Sequence, residues 1–515
     1  MPIKTSIITA SCAAAVLMLG GCQAHDEIPA AVIFHEVSAA LDLPQTGQTS
    51  GAVWVDLDDD GRRDLLLGRH HRVPEAYRHL DDLRFAPMPD WGQAMDAFDH
   101  HATLADDIDQ DGHLDFYFVV GAHRGEGVGR NTLYLGGQDH TTNTAEPWGI
   151  ADPFGRGRGV VLLDPDRDEL PDLFVLNFRT APRAYTIAPP DPVMDSLEKL
   201  LGIPAADDRS VASGTDRKSA EFIHRLLPLD LEADGQVDFL ALGGALPLKL
   251  IRTTSGVAAL DIPALPPDAY LPAPHDAVRG DFDGDHRPDL YLVYGADDSP
   301  SHIDKPRRNR LLRWDGERFV DITPPALALQ GRGTHAVAAD LDNSGTLDLA
   351  VLQTNRSAGT TDLQIFLNRG TGEFQLNPTD AVPTMAGVAG GLLAEDVDGD
   401  GDLDLIAIVG DMAPETAGGG VRLFQNDSVN GHSLAIDFNG IAVIPYGAIV
   451  RVVTDEGIQQ RQYWPTQVHG SAYRSQLHLG LGTAESASLV EIRWPSGKVS
   501  RWENVQADQV IQARP

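Results

Sequence analysis

The sequence predicts an all-β protein: a seven-bladed β-propeller over residues 33–428 and a small β domain over 429–515. Three observations predict it. A nine-residue acidic pattern returns seven times at nearly even spacing. Short apolar runs bracket every copy. Past residue 428 the pattern stops and a different strand-rich stretch begins.

The pattern is Asp-x-Asp-x-Asp-Gly-x-x-Asp. Its copies are DLDDDGRRD from Asp56, DIDQDGHLD from Asp107, DPDRDELPD from Asp164, DLEADGQVD from Asp230, DFDGDHRPD from Asp281, DLDNSGTLD from Asp340 and DVDGDGDLD from Asp396. First aspartates are 51, 57, 66, 51, 59 and 56 residues apart, and repetition at such a period marks a repeat architecture. Positions 1 and 9 are always Asp. Glu232 replaces Asp at position 3 once, Ser344 replaces it at position 5 once, and Glu169 and His286 replace the position-6 glycine. At about 5 Å and an effective dielectric near 20, each like-charged pair repels by roughly 3 kcal/mol. A solvated acidic loop keeps its charge but not this spacing. A disordered acidic tail lacks brackets such as GGLLAE and LIAIVG, which read as buried strands.

Such spacing suits a hard cation. Alternate acids at positions 1, 3 and 5 of a tight loop converge on one point, glycine at position 6 permits the turn, and several anionic oxygens suit Ca²⁺. Mg²⁺, which demands a smaller octahedral cage, is the weaker candidate. The helical Ca²⁺ hand is excluded, because position 12 is apolar in every copy and a strand follows. Position 9 then closes the cage. The candidate ligands are Asp56, Asp58, Asp60 and Asp64; Asp107, Asp109, Asp111 and Asp115; Asp164, Asp166, Asp168 and Asp172; Asp230, Glu232, Asp234 and Asp238; Asp281, Asp283, Asp285 and Asp289; Asp340, Asp342, Ser344 and Asp348; and Asp396, Asp398, Asp400 and Asp404.

These loops resemble the calcium loops of FG-GAP/VCBS repeats, the repeats of integrin α-subunit propellers, over roughly residues 30–428. The resemblance implies that side chains at positions 1, 3, 5 and 9 and the carbonyl at position 7 bind Ca²⁺. The first, second and seventh loops match best. The third and fifth lack the glycine and the sixth has neutral Ser344, so these three are expected to bind more weakly.

Each repeat reads as a four-stranded antiparallel sheet. One strand precedes the loop (HAVAAD), one follows it (LAVLQ), and a pair comes later around a turn (NRLLRWDGERFVDIT). Seven such sheets suit a propeller, which leaves only short edges; a β-solenoid is the alternative, with usually shorter repeats. IFHEVS at 33–38 resembles the outer strand FVDIT but follows no acidic loop, so it is expected to complete the seventh blade. Residues 429–515, with YGAIVRV, YRSQLHLGLG and VEIRWPSGKV, resemble the ASPIC/UnbV domain of the cartilage acidic protein family, although Tyr446 stands where that pattern usually has Ile. The resemblance names an architecture and no reaction.

The net charge of −35 gives no basic surface to meet phosphates, which argues against nucleic-acid binding. Of the 75 acids, 27 stand at candidate ligand positions, so much of the acidity is assigned to metal. Residues 1–21 read as a signal peptide ending in Leu-Gly-Gly-Cys, which resembles a bacterial lipobox. Cys22 is the expected lipidation site, residues 22–32 a linker, and the bacterial envelope, with an outer-membrane destination, the expected location. With Cys12 removed and Cys22 acylated, no thiol remains for a disulfide, and metal stands in for sulfur as the cross-link.

By the propeller resemblance, the residue six before each first aspartate starts an innermost strand on the top face. His101, Arg158, His224 and His275 hold that place, with His335 one step away. Converging imidazoles suit a transition metal or acid–base work; the alternative is a polar, hydrated channel mouth. DPVMDSLEKLLG, 191–202, reads as a short helix in an insert over that face. No Gly-x-Ser-x-Gly, His-Glu-x-x-His or phosphate-cradling loop occurs. The sequence therefore favours a calcium-stabilised, lipid-anchored binding scaffold for protein or glycan. The alternative is an enzyme at the mouth using His101, His224 and His275, acting on polysaccharide.

Overall fold

The computed structural model describes residues 32–515 except 39–40, 42, 44–48, 71, 82, 94, 122–128, 138–141, 179–181, 188–192, 196–222, 244–247, 255–256, 261–264, 267–273, 296–307, 330–331, 378–381, 411–419, 429–430, 442–444 and 469. The described residues are all-β, with no α-helix.

Every acidic loop joins two strands. The strand before it ends on the residue preceding the first aspartate, and the position-9 aspartate opens the next, as in Asp64–Arg69, Asp115–Val120 and Asp404–Val409. These second strands are buried from end to end, which is why they read as unbroken apolar runs instead of alternating ones.

Seven antiparallel sheets of this kind are present among the described residues. Their first strands are Thr49–Val55, His100–Asp106, Gly157–Leu163, Ile223–Leu229, Asp276–Gly280, Gly333–Ala339 and Ala389–Glu395. Each neighbours the next, and the last neighbours the first, so the sheets form a closed ring of blades numbered 1 to 7. Phe34–Glu36 pairs with Gly420–Asn426, Phe34 opposite Asn426, so the expected strand does complete blade 7. Apolar side chains fill the space between blades: Leu227 and Leu240 of blade 4 pack with Leu290 and Trp314 of blade 5 in one cluster.

One expectation is corrected. Val193–Asp195, placed in a helix by its sequence, is a strand that pairs with Arg183–Thr186 at the edge of blade 3. Edge pairing satisfies backbone groups that the weak local helix signal left open. The rest of that stretch lies outside the described residues, as does Cys22.

The C-terminal domain contributes two small sheets, one built on His432–Asp437 and one on Ala448–Val453. It also sends a hairpin, Thr466–Val468 and Ser471–Tyr473, into the ring. Ser471–Tyr473 runs parallel to the first strand of blade 2, Ala472 opposite Leu104, and Val160 N–H donates to the Gly470 carbonyl at 2.9 Å. Glycines make the room. A Cβ on Gly391 would stand 2.6 Å from Val468 Cγ1, and one on Gly470, whose φ is +101°, would stand 2.2 Å from the Arg158 carbonyl oxygen. The hairpin thus forms a plug inside the ring, against the inner strands of blades 2, 3 and 7. Its pairing partner lies about 370 residues away in sequence, and short-range pattern carries no sign of it.

Candidate functional site

The seven loops share one backbone. Position 4 has positive φ in every copy, from Asp59 and Gln110 to Asn343 and Gly399, and so does position 6, including Glu169 at 69° and His286 at 67°. Position-6 N–H donates to the position-1 carboxylate in all seven, from 2.6 Å at Gly235 to 3.1 Å at Gly401. Position-7 N–H donates to position 5 in all seven as well, Ser344 Oγ accepting from Thr346 N–H at 3.3 Å. The substitutions at Glu169, His286 and Ser344 therefore leave the loop shape intact.

Position 9 has a second task. In the second loop, Asp115 accepts from Ile108 N–H at 2.8 Å with one oxygen and from Gly136 N–H at 2.6 Å with the other. Asp64, Asp289, Asp348 and Asp404 repeat the arrangement. The closing acid thus fastens its loop to the third strand of the blade.

Several loop oxygens have no hydrogen-bond donor although they are buried: Asp58 Oδ1, Asp107 Oδ1, Asp172 Oδ2 and Asp340 Oδ1. Among the described residues, three carboxylates bring ligand atoms within 4.8 Å of one another in at least four loops: Asp56, Asp58 and Asp64; Asp107, Asp109 and Asp115; Asp164, Asp166 and Asp168; and Asp281, Asp283 and Asp285. Burial, with the neighbouring acids adding to it, pushes the Asp107 carboxyl up to about 6, Asp340 to about 7, and Asp289 and Asp404 to about 8. Orphaned acceptors with clustered, strained anions fit a hard dication with oxygen ligands.

The C-terminal domain packs on this same face. Gly480 N–H donates to Asp340 Oδ2 at 3.0 Å, Gly482 N–H to the Asn343 carbonyl at 2.8 Å, and Arg461 Nη2 to the Gly345 carbonyl at 2.7 Å, all at the sixth loop. At the fourth, Gln462 Nε2 donates to the Asp230 carbonyl at 2.6 Å and Arg493 Nη2 to that of Ala233 at 2.9 Å. Beside the second, Arg474 Nη2 and Tyr446 Oη hold the buried Asp106 carboxylate at 2.7 and 2.5 Å.

The FG-GAP-like repeat model matches residues 281–351 and 354–407, and the ASPIC and UnbV model matches 443–515. The chain carries FG-GAP-like repeats and an ASPIC/UnbV domain. This combination indicates a propeller binding or scaffold protein. Cartilage acidic protein 1 of Mus musculus is 26% identical over 526 residues, covering 94% of this chain and 76% of its own. The Homo sapiens protein is 25% identical over 487 residues, covering 87% and 69%. Looser likenesses are a BBS1N–ARL6DN complex (TM-score 0.41, 11% identity, 78% of this chain and 99% of that one) and the Swd1 β-propeller domain of Myceliophteria thermophila (0.39, 13%, 76% and 99%).

At the other end of the inner strands the histidines separate into two groups. His224 Nε2 lies 3.3 Å from the His275 carbonyl, His275 Nδ1 2.8 Å from that of Thr334, and His335 Nδ1 3.7 Å from Asp276 Oδ2. Arg225 also pairs with Asp276. Burial acts to raise the Asp276 carboxyl, but the charges and hydrogen bonds of Arg225 and His335 outweigh it and hold it below the carboxylate range. His101 stands apart, with Asp99 and His70, and Arg158 lies beside it. Sequence reasoning passed over His70 and Asp99. The adjacent Asp99, His100 and His101 were the available signal.

Between the C-terminal domain and blades 1 and 4 to 7 lies a cavity of about 750 Å³, lined by Arg225, Arg279, Glu395, Arg461, Trp464 and Gln467 together with loop acids such as Asp56, Asp340 and Asp396. The Arg279 guanidinium sits 5.4 Å from the Trp464 ring centroid. Burial, together with the like charge of Arg225, lowers its proton affinity.

Proposed function

We propose that this protein is a calcium-loaded, lipid-anchored binding scaffold of the cell envelope, its propeller and ASPIC/UnbV domain fastened into one body that presents its surface and interior cavity to a glycan or protein ligand. The observation that carries the reading is the shared cage. Seven loops adopt one backbone around their acids, and in four of them a buried carboxylate oxygen lacks a donor. Calcium would supply the missing charge, held by the position-1, -3, -5 and -9 side chains. The cavity lining mixes these arginines with acids such as Asp56, Asp281, Asp340 and Asp396; with calcium on those loop acids, Arg225, Arg279 and Arg461 would be left to meet an acidic ligand, such as a uronate-bearing glycan. Cys22 at the end of the lipobox supports the anchor.

The test is calorimetry of the full chain with calcium and with a chelator. Chelation should lower the melting temperature by ten degrees or more, on the order of several kcal/mol of linkage, and an unchanged melt would overturn the calcium role. Incorporation of labelled fatty acid, lost in Cys22→Ala, tests the anchor. Arrays of acidic glycans, probed with wild type and Arg279→Ala, test the ligand. The second reading, an enzyme using His101, His224 and His275, is less favoured, because His101 contacts Asp99 while His224 contacts the His275 carbonyl.

A further inference from the structure

We propose that His70, Asp99 and His101 form a binding site for one first-row divalent transition-metal ion of the zinc class, separate from the calcium loops and beyond the scaffold reading above.

The trio is assembled from two blades. His70 follows the second strand of blade 1, which ends at Arg69. His101 stands at the start of the first strand of blade 2, the end remote from the acidic loop at Asp107, and Asp99 immediately precedes that strand. All three side chains are buried. Asp99 faces both imidazoles with different oxygens: Oδ1 meets His70 Nδ1, and Oδ2 lies 3.3 Å from His101 Nε2. The two imidazole rings stand edge to face at 4.6 Å.

Three ligand atoms, one from each residue, lie within 4.8 Å of one another. Donors around a tetrahedral ion at about 2.1 Å stand about 3.4 Å apart, so a small contraction about a common centre completes the site. Two imidazoles and one carboxylate are the ligand types of catalytic zinc and of facial-triad iron sites, and they are poor ligands for Ca²⁺, which takes six to eight oxygens. The backbone is cleared around the trio. A Cβ on Gly121 would stand 2.0 Å from His101 Cδ2 and 2.6 Å from Arg158 Nη1, while Gly121 N–H holds the Asp99 carbonyl at 2.9 Å. Arg158, braced over the Phe178 ring at 5.2 Å, supplies a cation beside the site that suits an anionic exogenous ligand in the remaining coordination position.

The experiment uses the full chain saturated with calcium, so that the acidic loops do not compete. Co²⁺ titration should give one equivalent with the visible absorption of imidazole-ligated cobalt, and Zn²⁺ should displace it. Asp99→Asn and His101→Gln should each weaken binding by at least about tenfold, and His275→Gln should leave it unchanged. X-ray absorption of zinc-loaded wild type, which needs no variant, should show two imidazoles and light oxygen neighbours. No equivalent bound, an oxygen-only shell, or folded Asp99→Asn and His101→Gln proteins that bind as wild type would each overturn the proposal. Because calcium is held saturating throughout, these outcomes are separate from failure of the calcium reading.

Discussion

The backbone N–H of Gly480, in the ASPIC/UnbV domain, donates to Oδ2 of Asp340, the first acid of the sixth FG-GAP loop, at 3.0 Å. One carboxylate thus serves both the candidate metal cage and the junction between domains. A Cβ at position 480 would stand 2.4 Å from that oxygen and from the Asn343 carbonyl carbon. Because those neighbours are backbone or fixed by it, Gly480→Ala should cost about 2 kcal/mol. On the calcium reading it should also reduce calcium affinity at the sixth loop, since the displaced group is a candidate ligand. Differential scanning calorimetry at saturating and limiting calcium checks both, and the loss should be larger at saturating calcium, where the weakened binding adds to the steric cost.

The left-handed position 6 makes an opposite prediction at Glu169. A side chain there strains the backbone by about 1 kcal/mol relative to glycine, and the Glu169 side chain makes no hydrogen bond or ion pair among the described residues, since only its N–H and carbonyl are used. Glu169→Gly should therefore raise stability by about 1 kcal/mol, less the entropy glycine loses on folding. Denaturant midpoints at saturating calcium measure it. Unchanged or lower stability would show that the loop relaxes the strain by other means.

These two sites mark the boundary of what the sequence discloses. The acidic period, the glycine of position 6 and the apolar brackets are local, and they carry the all-β fold, the strand boundaries at Asp64 and Asp404 and the closing strand at Phe34. The left-handed position 4 escaped, because its occupants range from Asp59 and Gln110 to Arg167 and share no chemistry. The plug escaped because Ala472 meets Leu104 only through the closed ring. The histidine groups were half legible. Strand periodicity brought His101 and His275 to equivalent places in their blades, but the partner of His101 comes from the end of a neighbouring strand, at His70.

His478 predicts a pH dependence of the domain junction. Its Nε2 lies 2.7 Å from Asn343 Oδ1, and burial pushes it down to about 4 from an ordinary 6.5. Between those values the unfolded chain binds a proton that the native protein does not, so stability rises with pH across this window and is complete above it. Acidification from pH 6.5 to 4 should then lower the wild-type melting temperature more steeply than that of His478→Gln, in which every other titrating group is kept. Parallel slopes for the two proteins would sink the assignment.

Arg474 and Asp106 carry the last prediction. The pair is buried, Nη2 to Oδ1 at 2.7 Å, and joins the base of the plug to the strand leading into the second loop. Burial acts to lower the Arg474 proton affinity, but the Asp106 charge prevails and raises it. Arg474 also donates to the carbonyls of Phe438 and Ile441 at 3.2 and 2.8 Å, so its removal strands three acceptors. Arg474→Met should cost about 3–5 kcal/mol, because it leaves an uncompensated buried carboxylate. Asp106→Asn in the same chain removes that charge and keeps an acceptor for Tyr446. The double variant should therefore be more stable than Arg474→Met alone, with a coupling energy above about 1 kcal/mol in a double-mutant cycle. Additive losses would mean that the plug is held by its backbone contacts to blades 2 and 3, with the ion pair contributing only packing.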